Sequence, residues 1–320
     1  MVDLVAFGET PLRLSPPGSE RVEMAGSLDV YADGTESNVA VAANGLGSDA
    51  LWVSKIRDSA VGRNAVRQIE ATGLDTSITW TADDGRQGIM FRESGAAPRR
   101  SRCWHDRGHT AFATAEPGEF PVETIQQARV IYTGLTSATL SEQCTDTTEA
   151  LLRAGGGSGA VTALELDYEP ELATARAYEE TFTQLSDEVD VLITSENAIP
   201  AVLGEHGSSR ELTNVLAALY DLQIVVVRRA DGSAIVLQDS PGTNVIHERT
   251  MVDTEVVDTM GEQGAFTGAF LHELVQGSDS ARALTRAVAS AAFARTTAGP
   301  FLTTDDEELE PVIEQVLEQS

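Results

Sequence analysis

Short apolar runs alternate with stretches of helical period along most of the chain. Residues 3–8 (DLVAFG) read as a buried strand ending in glycine, and 37–46 (SNVAVAANGL) as a helix of small residues with Glu36 or Ser37 near its start. LWVS (51–54) is the next strand, and 59–72 a helix closed by Gly73. Residues 76–93 alternate and contain the turn ADDGRQG, which predicts strands joined as a hairpin.

From about residue 128 the rhythm becomes regular. VIYTG (130–134), AVTALEL (160–166), VDVLITS (189–195), QIVVVRR (223–229) and SAIVLQ (233–238) read as strands. Helices are predicted over 141–154, 171–186, 197–203 and 208–220, then over 264–276, 279–298 and the acidic C-terminal stretch, where Thr304 is the expected cap. Strand–helix alternation implies a parallel sheet covered on both faces, with ligands bound at the carboxyl ends of its strands. The β-rich stretches 9–35 and 76–108 interrupt that alternation and predict a small second sheet over the same edge.

Composition narrows the function. Apolar residues make up 42% of 320, enough for a full core, and no run of eighteen apolar residues spans a membrane. The N-terminus has no basic export signal, so a cytoplasmic location is expected. There are 50 acidic and 22 basic residues, net −28, which argues against nucleic-acid binding. Lys55 is the only lysine, and the acids are spread along the whole length. That distribution reads as a salt-adapted surface, with a cationic partner as the rival reading.

Cys103 and Cys144 lack a CxxC context, which suits a reducing compartment and supplies no metal framework. His105 and His109 flank Asp106, but in an expected lid rather than a helix, so no metal site is predicted. GGGSG (155–159) lacks the lysine of a nucleotide loop and reads as a connector.

Three blocks then align in order and spacing: GETPLRLSPPG (8–18), DGTESNVAVAANGLG (33–47) and DTMGEQGAFTGAFLHELVQG (258–277), with DGRQG (84–88) between them. Together they resemble the ribokinase/PfkB family of carbohydrate kinases, most nearly the 2-keto-3-deoxygluconate kinases of salt-loving archaea. The resemblance covers residues 3 to about 315. It implies a ribokinase-like α/β/α sandwich formed by a single domain over 1–320, with a β-sheet lid that often pairs between subunits as a dimer. It also implies ATP with Mg²⁺, and a sugar or sugar acid as the small-molecule partner. Gly34, Glu36, Asn38, Arg107 and Asp258 fall on family substrate positions.

The chain departs from the family where chemistry is done. The family's closing motif resembles DTTGAGDAF, whose glycine-rich turn holds phosphates on backbone N–H groups. Here the anion-hole positions are Gly261, Glu262 and Gln263, and the family's aspartate base falls on Gly264. A lost base costs about 10²–10⁴ in rate. A Glu262 carboxylate ~4 Å from phosphate would be repelled by about 4 kcal/mol at an effective dielectric of 20.

The family's Asn-x-x-Glu motif, which helps hold Mg²⁺, reads Ser195-Glu196-Asn197-Ala198, and its nucleotide-gripping Thr-x-Gly turn reads Arg228-Arg229-Ala230. Arg228 and Arg229 either contact phosphate or pair with surface carboxylates. The ketodeoxygluconate kinases end a strand with Asn-Tyr-Arg. Here it ends Asp167-Tyr168-Glu169, which puts an acidic substrate in question.

Three readings stay open: an active kinase in which Glu262 or Asp258 replaces the base, a pseudokinase that senses sugar or nucleotide, and a structural partner of an active paralogue. The breadth of the changes favours an impaired kinase, with no cofactor at all if nucleotide binding has gone too.

Overall fold

The computed structural model describes residues 2–83, 85–240 and 243–319; Asp84 of the DGRQG turn lies outside them. The strands are β1 (Leu4–Phe7), β2 (Leu12–Ser15), β3 (Asp29–Ala32), β4 (Ala50–Arg57), β5 (Asp75–Thr81), β6 (Ile89–Glu93) and β7 (Arg102–Asp106). They continue with β8 (Val130–Gly134), β9 (Val161–Leu166), β10 (Val191–Ser195), β11 (Ile224–Arg228), β12 (Ala234–Ser240) and β13 (Thr243–Arg249). The helices are α1 (Thr35–Gly45), α2 (Ala60–Glu70), α3 (Val122–Gln126), α4 (Leu135–Ala138) and α5 (Glu142–Gly156). After them come α6 (Ala175–Leu185), α7 (Ser209–Tyr220), α8 (Glu262–Val275), α9 (Ser280–Ala294) and α10 (Asp306–Glu318).

Among the described residues nine strands form one sheet, in the order β13-β12-β11-β10-β9-β8-β1-β4-β5. From β5 to β11 every neighbour is parallel, and β12 and β13 extend it as an antiparallel edge. Alternation along β1 explains the layering. Leu4 and Ala6 join the core beneath α1, α2, α8, α9 and α10, whereas Val5 and Phe7 join the core beneath α3 to α7. This is the expected ribokinase-like α/β/α sandwich.

The second sheet, β3-β2-β6-β7, is the expected lid. The hairpin predicted over 76–93 does not form. β5 follows α2 and pairs with β4 in the large sheet, while β6 runs parallel to β2 in the lid. A helix between β4 and β5 delivers the second strand parallel to the first, which a hairpin cannot do. The lid strands therefore lie within 12–32 and 89–106. At the C-terminal helix the cap is Asp305, not Thr304: its side chain accepts the Glu308 N–H at 3.0 Å.

Two packing details matter for the site. Helix α8 lies against α1 through glycines: a Cβ on Gly264 would stand 2.6 Å from Asn38 Cβ, and one on Gly268 2.6 Å from Ala42 Cβ. Lys55 is buried, its Nζ donating to Thr114 O at 2.9 Å and to Glu119 Oε1 at 2.7 Å.

Candidate active site

A cavity of about 180 Å³ opens between the carboxyl ends of the central strands and the lid. Gly34, Glu36, Asn38, Arg107, Asp167 and Glu169 all line it, as do Gln263 and Gly264. Asp258 does not. Its Oδ1 accepts the Met260 N–H at 3.1 Å and its Oδ2 the Gly299 N–H at 3.2 Å, which fixes the turn into α8 from a neighbouring groove.

The lid contributes one face. In the β6–β7 ladder Met90 lies opposite His105 and Arg92 opposite Cys103. Period-two alternation points these four side chains the same way, and all four reach the cavity.

Most charges on the cavity wall are already paired. Arg107 Nε donates to Glu9 Oε2 at 2.6 Å, with both side chains buried. Asp33 sits 3.4 Å from Arg13 and accepts the Asn38 amide at 2.8 Å, so Asn38 lies inside α1 rather than capping it. Glu36 accepts the Gly134 N–H at 3.0 Å, and burial lifts its carboxyl to about 7. Glu9 and Arg92 were not singled out from the sequence, and His105 only as a rejected metal ligand, although the alternation of IMFRE and RCWHD carries a signal for the latter two.

The start of α8 forms the wall towards the second half of the site. Gly264 presents no side chain to the cavity, and Asn38 fills the space its Cβ would need. Gln263 turns inward, donating to Glu165 Oε1 at 3.0 Å and to Asp167. Arg228, at the end of β11, reaches the same two carboxylates at 2.7 Å and 3.1 Å.

Glu165 is buried, and it also accepts hydrogen bonds from Thr267 (3.0 Å) and Tyr132. Burial pushes its pKa up against the pull of Arg228. Of the two expectations for Arg228, pairing with surface acids is corrected: the carboxylates it meets are Glu165, deep in the sheet, and the half-buried Asp167. Arg229 does meet an exposed carboxylate, Glu248.

On the far side of this network lies a smaller cavity of about 110 Å³, lined by Ser195, Asn197, Arg228, Ala230, Glu262 and Phe266 among others. It holds most of the predicted nucleotide positions. Ala198 is buried beside it, its N–H bonded to Ser195 Oγ at 3.3 Å. Glu196 accepts the Ala230 N–H at 2.9 Å, which ties the two turns together.

Gly261 is the N-cap of α8 and Glu262 its first residue, 3.7 Å from Arg295. A Mg²⁺-bound triphosphate needs carboxylate or water oxygens on the metal and uncrowded N–H donors for its phosphates. The helix start carries Glu262 and Gln263 in place of small residues, and Arg228 is drawn away into the sheet. These residues do not fit that group.

The two acids considered as replacement bases stay outside the main cavity: Glu262 faces the smaller one and Asp258 the neighbouring groove. Asp167 is one of several carboxylates that share the main cavity with Gly264, and it is held by Arg228 and Gln263. Both cysteines are free, and burial pushes the Cys144 thiol up to about 12, away from reactivity.

Comparison with known proteins agrees with this architecture. The chain is 38% identical over 311 residues to a 2-dehydro-3-deoxygalactonokinase of Haloferax volcanii, covering 97% of this chain and 96% of that one. It superposes on the 2-dehydro-3-deoxygluconokinase of Thermotoga maritima with a TM-score of 0.88 at 26% identity, covering 98% and 100% of the two chains. A putative ribokinase of E. coli, solved with ATP and Mg²⁺, shares the fold at a TM-score of 0.84 and 18% identity, covering 98% and 100%. Residues 1–306 match the pfkB family carbohydrate kinase profile, and with the sandwich, the lid and the turn into α8 in place, the chain belongs to the PfkB family of carbohydrate kinases.

Proposed function

We propose that this chain binds a sugar acid between sheet and lid and phosphorylates it far more slowly than an ordinary kinase of its family. The observation that carries the reading is position 264. The family's base would stand there, but the residue has no side chain, and Asn38 occupies the volume that one would need. Removing a positioned base lowers rate by about 10²–10⁴. The Arg228–Asp167–Gln263 network between the two cavities and the carboxylate at the start of α8 both oppose a productive triphosphate pose. On this reading ATP–Mg²⁺ is a weak ligand, and the protein serves as a sugar-acid sensor or as the partner of an active paralogue.

The substrate class rests on relatives. The Haloferax volcanii protein is named for 2-dehydro-3-deoxygalactonate and the Thermotoga maritima protein for 2-dehydro-3-deoxygluconate. Calorimetry with both acids and with ATP–Mg²⁺, alongside a coupled kinase assay in concentrated KCl, tests the proposal. Binding of an acid with turnover well under 1 s⁻¹ is expected. Turnover in the range of about 1–100 s⁻¹ usual for kinases would sink it.

Two further properties belong to the same proposal. The net charge of −28 suits a cytoplasm rich in salt. The lid leaves Met24, Val30 and Trp104 exposed, which supports a dimer formed through the lid. Sedimentation as a monomer at all concentrations would refute that assembly.

A further inference from the structure

Just past the end of β9 the cavity wall carries two carboxylates, Asp167 and Glu169, which repel an acid. A sugar acid in this cavity therefore needs a cationic contact elsewhere. Charges on the wall narrow the choice. Arg107 is spent on Glu9, Arg13 on Asp33, and Arg228 on Asp167 and Glu165. Two cationic side chains on the lid face remain.

Arg92 has its Nε buried without a hydrogen-bond partner, and one terminal nitrogen reaches Thr259 Oγ1 at 3.3 Å. His105 has a side chain only 6% exposed, and neither ring nitrogen makes a hydrogen bond; Glu169 is 3.7 Å from Nε2. Buried donors without partners are uncommon because each costs about 1–3 kcal/mol.

The two residues are diagonal neighbours in the β6–β7 ladder, on the face turned to the cavity. That register sets their backbones roughly 7–8 Å apart, a span that lets both side chains converge on one carboxylate. Burial draws the imidazole of His105 down, but the Cys103 sulfur and the Glu169 carboxylate outweigh it and lift the ring to about 9, against the opposing charge of Arg107. The Glu169 carboxylate 3.7 Å from Nε2 favours the charged ring, as an entering carboxylate would.

We propose that Arg92 and His105 form a carboxylate clamp on the lid, and that this clamp selects a sugar acid over a neutral sugar. The inference rests on the sugar-acid reading above and adds where the acid group is held. Glu169, half-exposed at the rim, competes with the ligand for His105 and turns outward when the acid enters.

The test compares binding of 2-dehydro-3-deoxygalactonate with its C1 amide, an uncharged isostere, by calorimetry on the full-length protein. The parent should prefer the acid by at least about tenfold, the fold-change for about 1.4 kcal/mol. In R92M/H105Q that preference should fall to about one while amide affinity stays within about twofold, since the amide never used the clamp. Glu169→Gln removes the competitor and should tighten acid binding alone. It serves as the second readout if the double variant melts early.

An acid preference that persists in R92M/H105Q overturns the clamp and leaves the sugar-acid reading standing. Weaker acid binding in Glu169→Gln would also overturn the clamp. A parent that binds the amide as tightly as the acid refutes the clamp alone, whereas a parent that binds neither removes the sugar-acid reading and the clamp together.

Discussion

Reinstalling the family's base is the most direct trial of the active site. In Gly264→Asp the new Cβ would lie 2.6 Å from Asn38 Cβ and 3.1 Å from the Asn38 carbonyl carbon, well inside van der Waals contact. The blocking atoms sit at the root of a buried side chain in α1, so they cannot swing aside as the tip of a long side chain would. Overpacking of this kind costs about 1–3 kcal/mol. Unfolding entropy of about 2.1 cal/mol/K per residue gives roughly 0.7 kcal/mol/K for this chain, so Tm should fall by about 1.5–4.5 °C. Asn38→Gly alone should cost its bond to Asp33 and helix propensity, but it removes the nearest atom, so the double variant should lose less than the sum of the two singles, a non-additivity expected of residues in contact.

Turnover in the coupled assay should stay below about 1 s⁻¹ in both variants, because Glu262, Gln263 and Arg228 still disfavour the triphosphate. Calorimetric melts and single-turnover kinetics read the two quantities separately. An unchanged Tm would refute the packing argument. Turnover at the usual kinase rate in Gly264→Asp alone would show that the other departures are harmless.

Three other perturbations have defined outcomes. Glu36 binds its proton more tightly folded than unfolded, so its burial lowers stability as pH rises from 4.5 to about 7. At 1.36 kcal/mol per pKa unit the penalty above pH 7 is about 3 kcal/mol. Glu36→Gln keeps an acceptor for the Gly134 N–H, and in urea melts its advantage over the parent should be small at pH 5 and largest at pH 8; equal gains at both would exclude a charged Glu36 as the cause. Arg228→Met strands the buried Glu165 and half-buried Asp167 and should lose about 3–5 kcal/mol in denaturant melts at pH 7, partly recovered in acid as the carboxylates protonate. A loss under about 1 kcal/mol would mean that the network holds little energy. Raising KCl from roughly 0.1 M to about 3 M shortens the Debye length from about 10 Å to under 3 Å, so self-repulsion of the −28 chain weakens and Tm should rise. A flat or falling Tm contradicts the salt-adapted surface.

How much of this was legible in the sequence depends on the range of the interaction. Apart from the edge strand β13 and the short helix α4, which were not predicted, the order of strands and helices from residue 128 onward, the turn into α8 and the existence of a lid follow from local period and from the family's motifs. The hairpin over 76–93 was misread because β5 and β6 look alike as alternating strands, and only the α2 crossover sends them to different sheets. Thr304 and Asp305 are both good caps, and only the backbone decides which one meets the Glu308 N–H.

The partners of Arg228 lie about sixty positions away along the chain, beyond any local pattern. Glu165 did leave a trace, a lone carboxylate inside the apolar run AVTALEL, since an acid buried in a central strand demands a cationic partner elsewhere. Arg92 and His105 sit at alternating positions of IMFRE and RCWHD, but the β6–β7 register that puts them on one face and their lack of hydrogen-bond partners are properties of the fold alone.

The burial of Lys55 has a practical consequence. Its amine is enclosed by Thr114 and Glu119, and it is the chain's single lysine. The folded protein thus offers amine-directed reagents no accessible side chain. Apart from the N-terminal amine, succinimidyl dyes, amine cross-linkers and lysine acetyltransferases should find no target, and rapid labelling of Lys55 would report that the native state has opened.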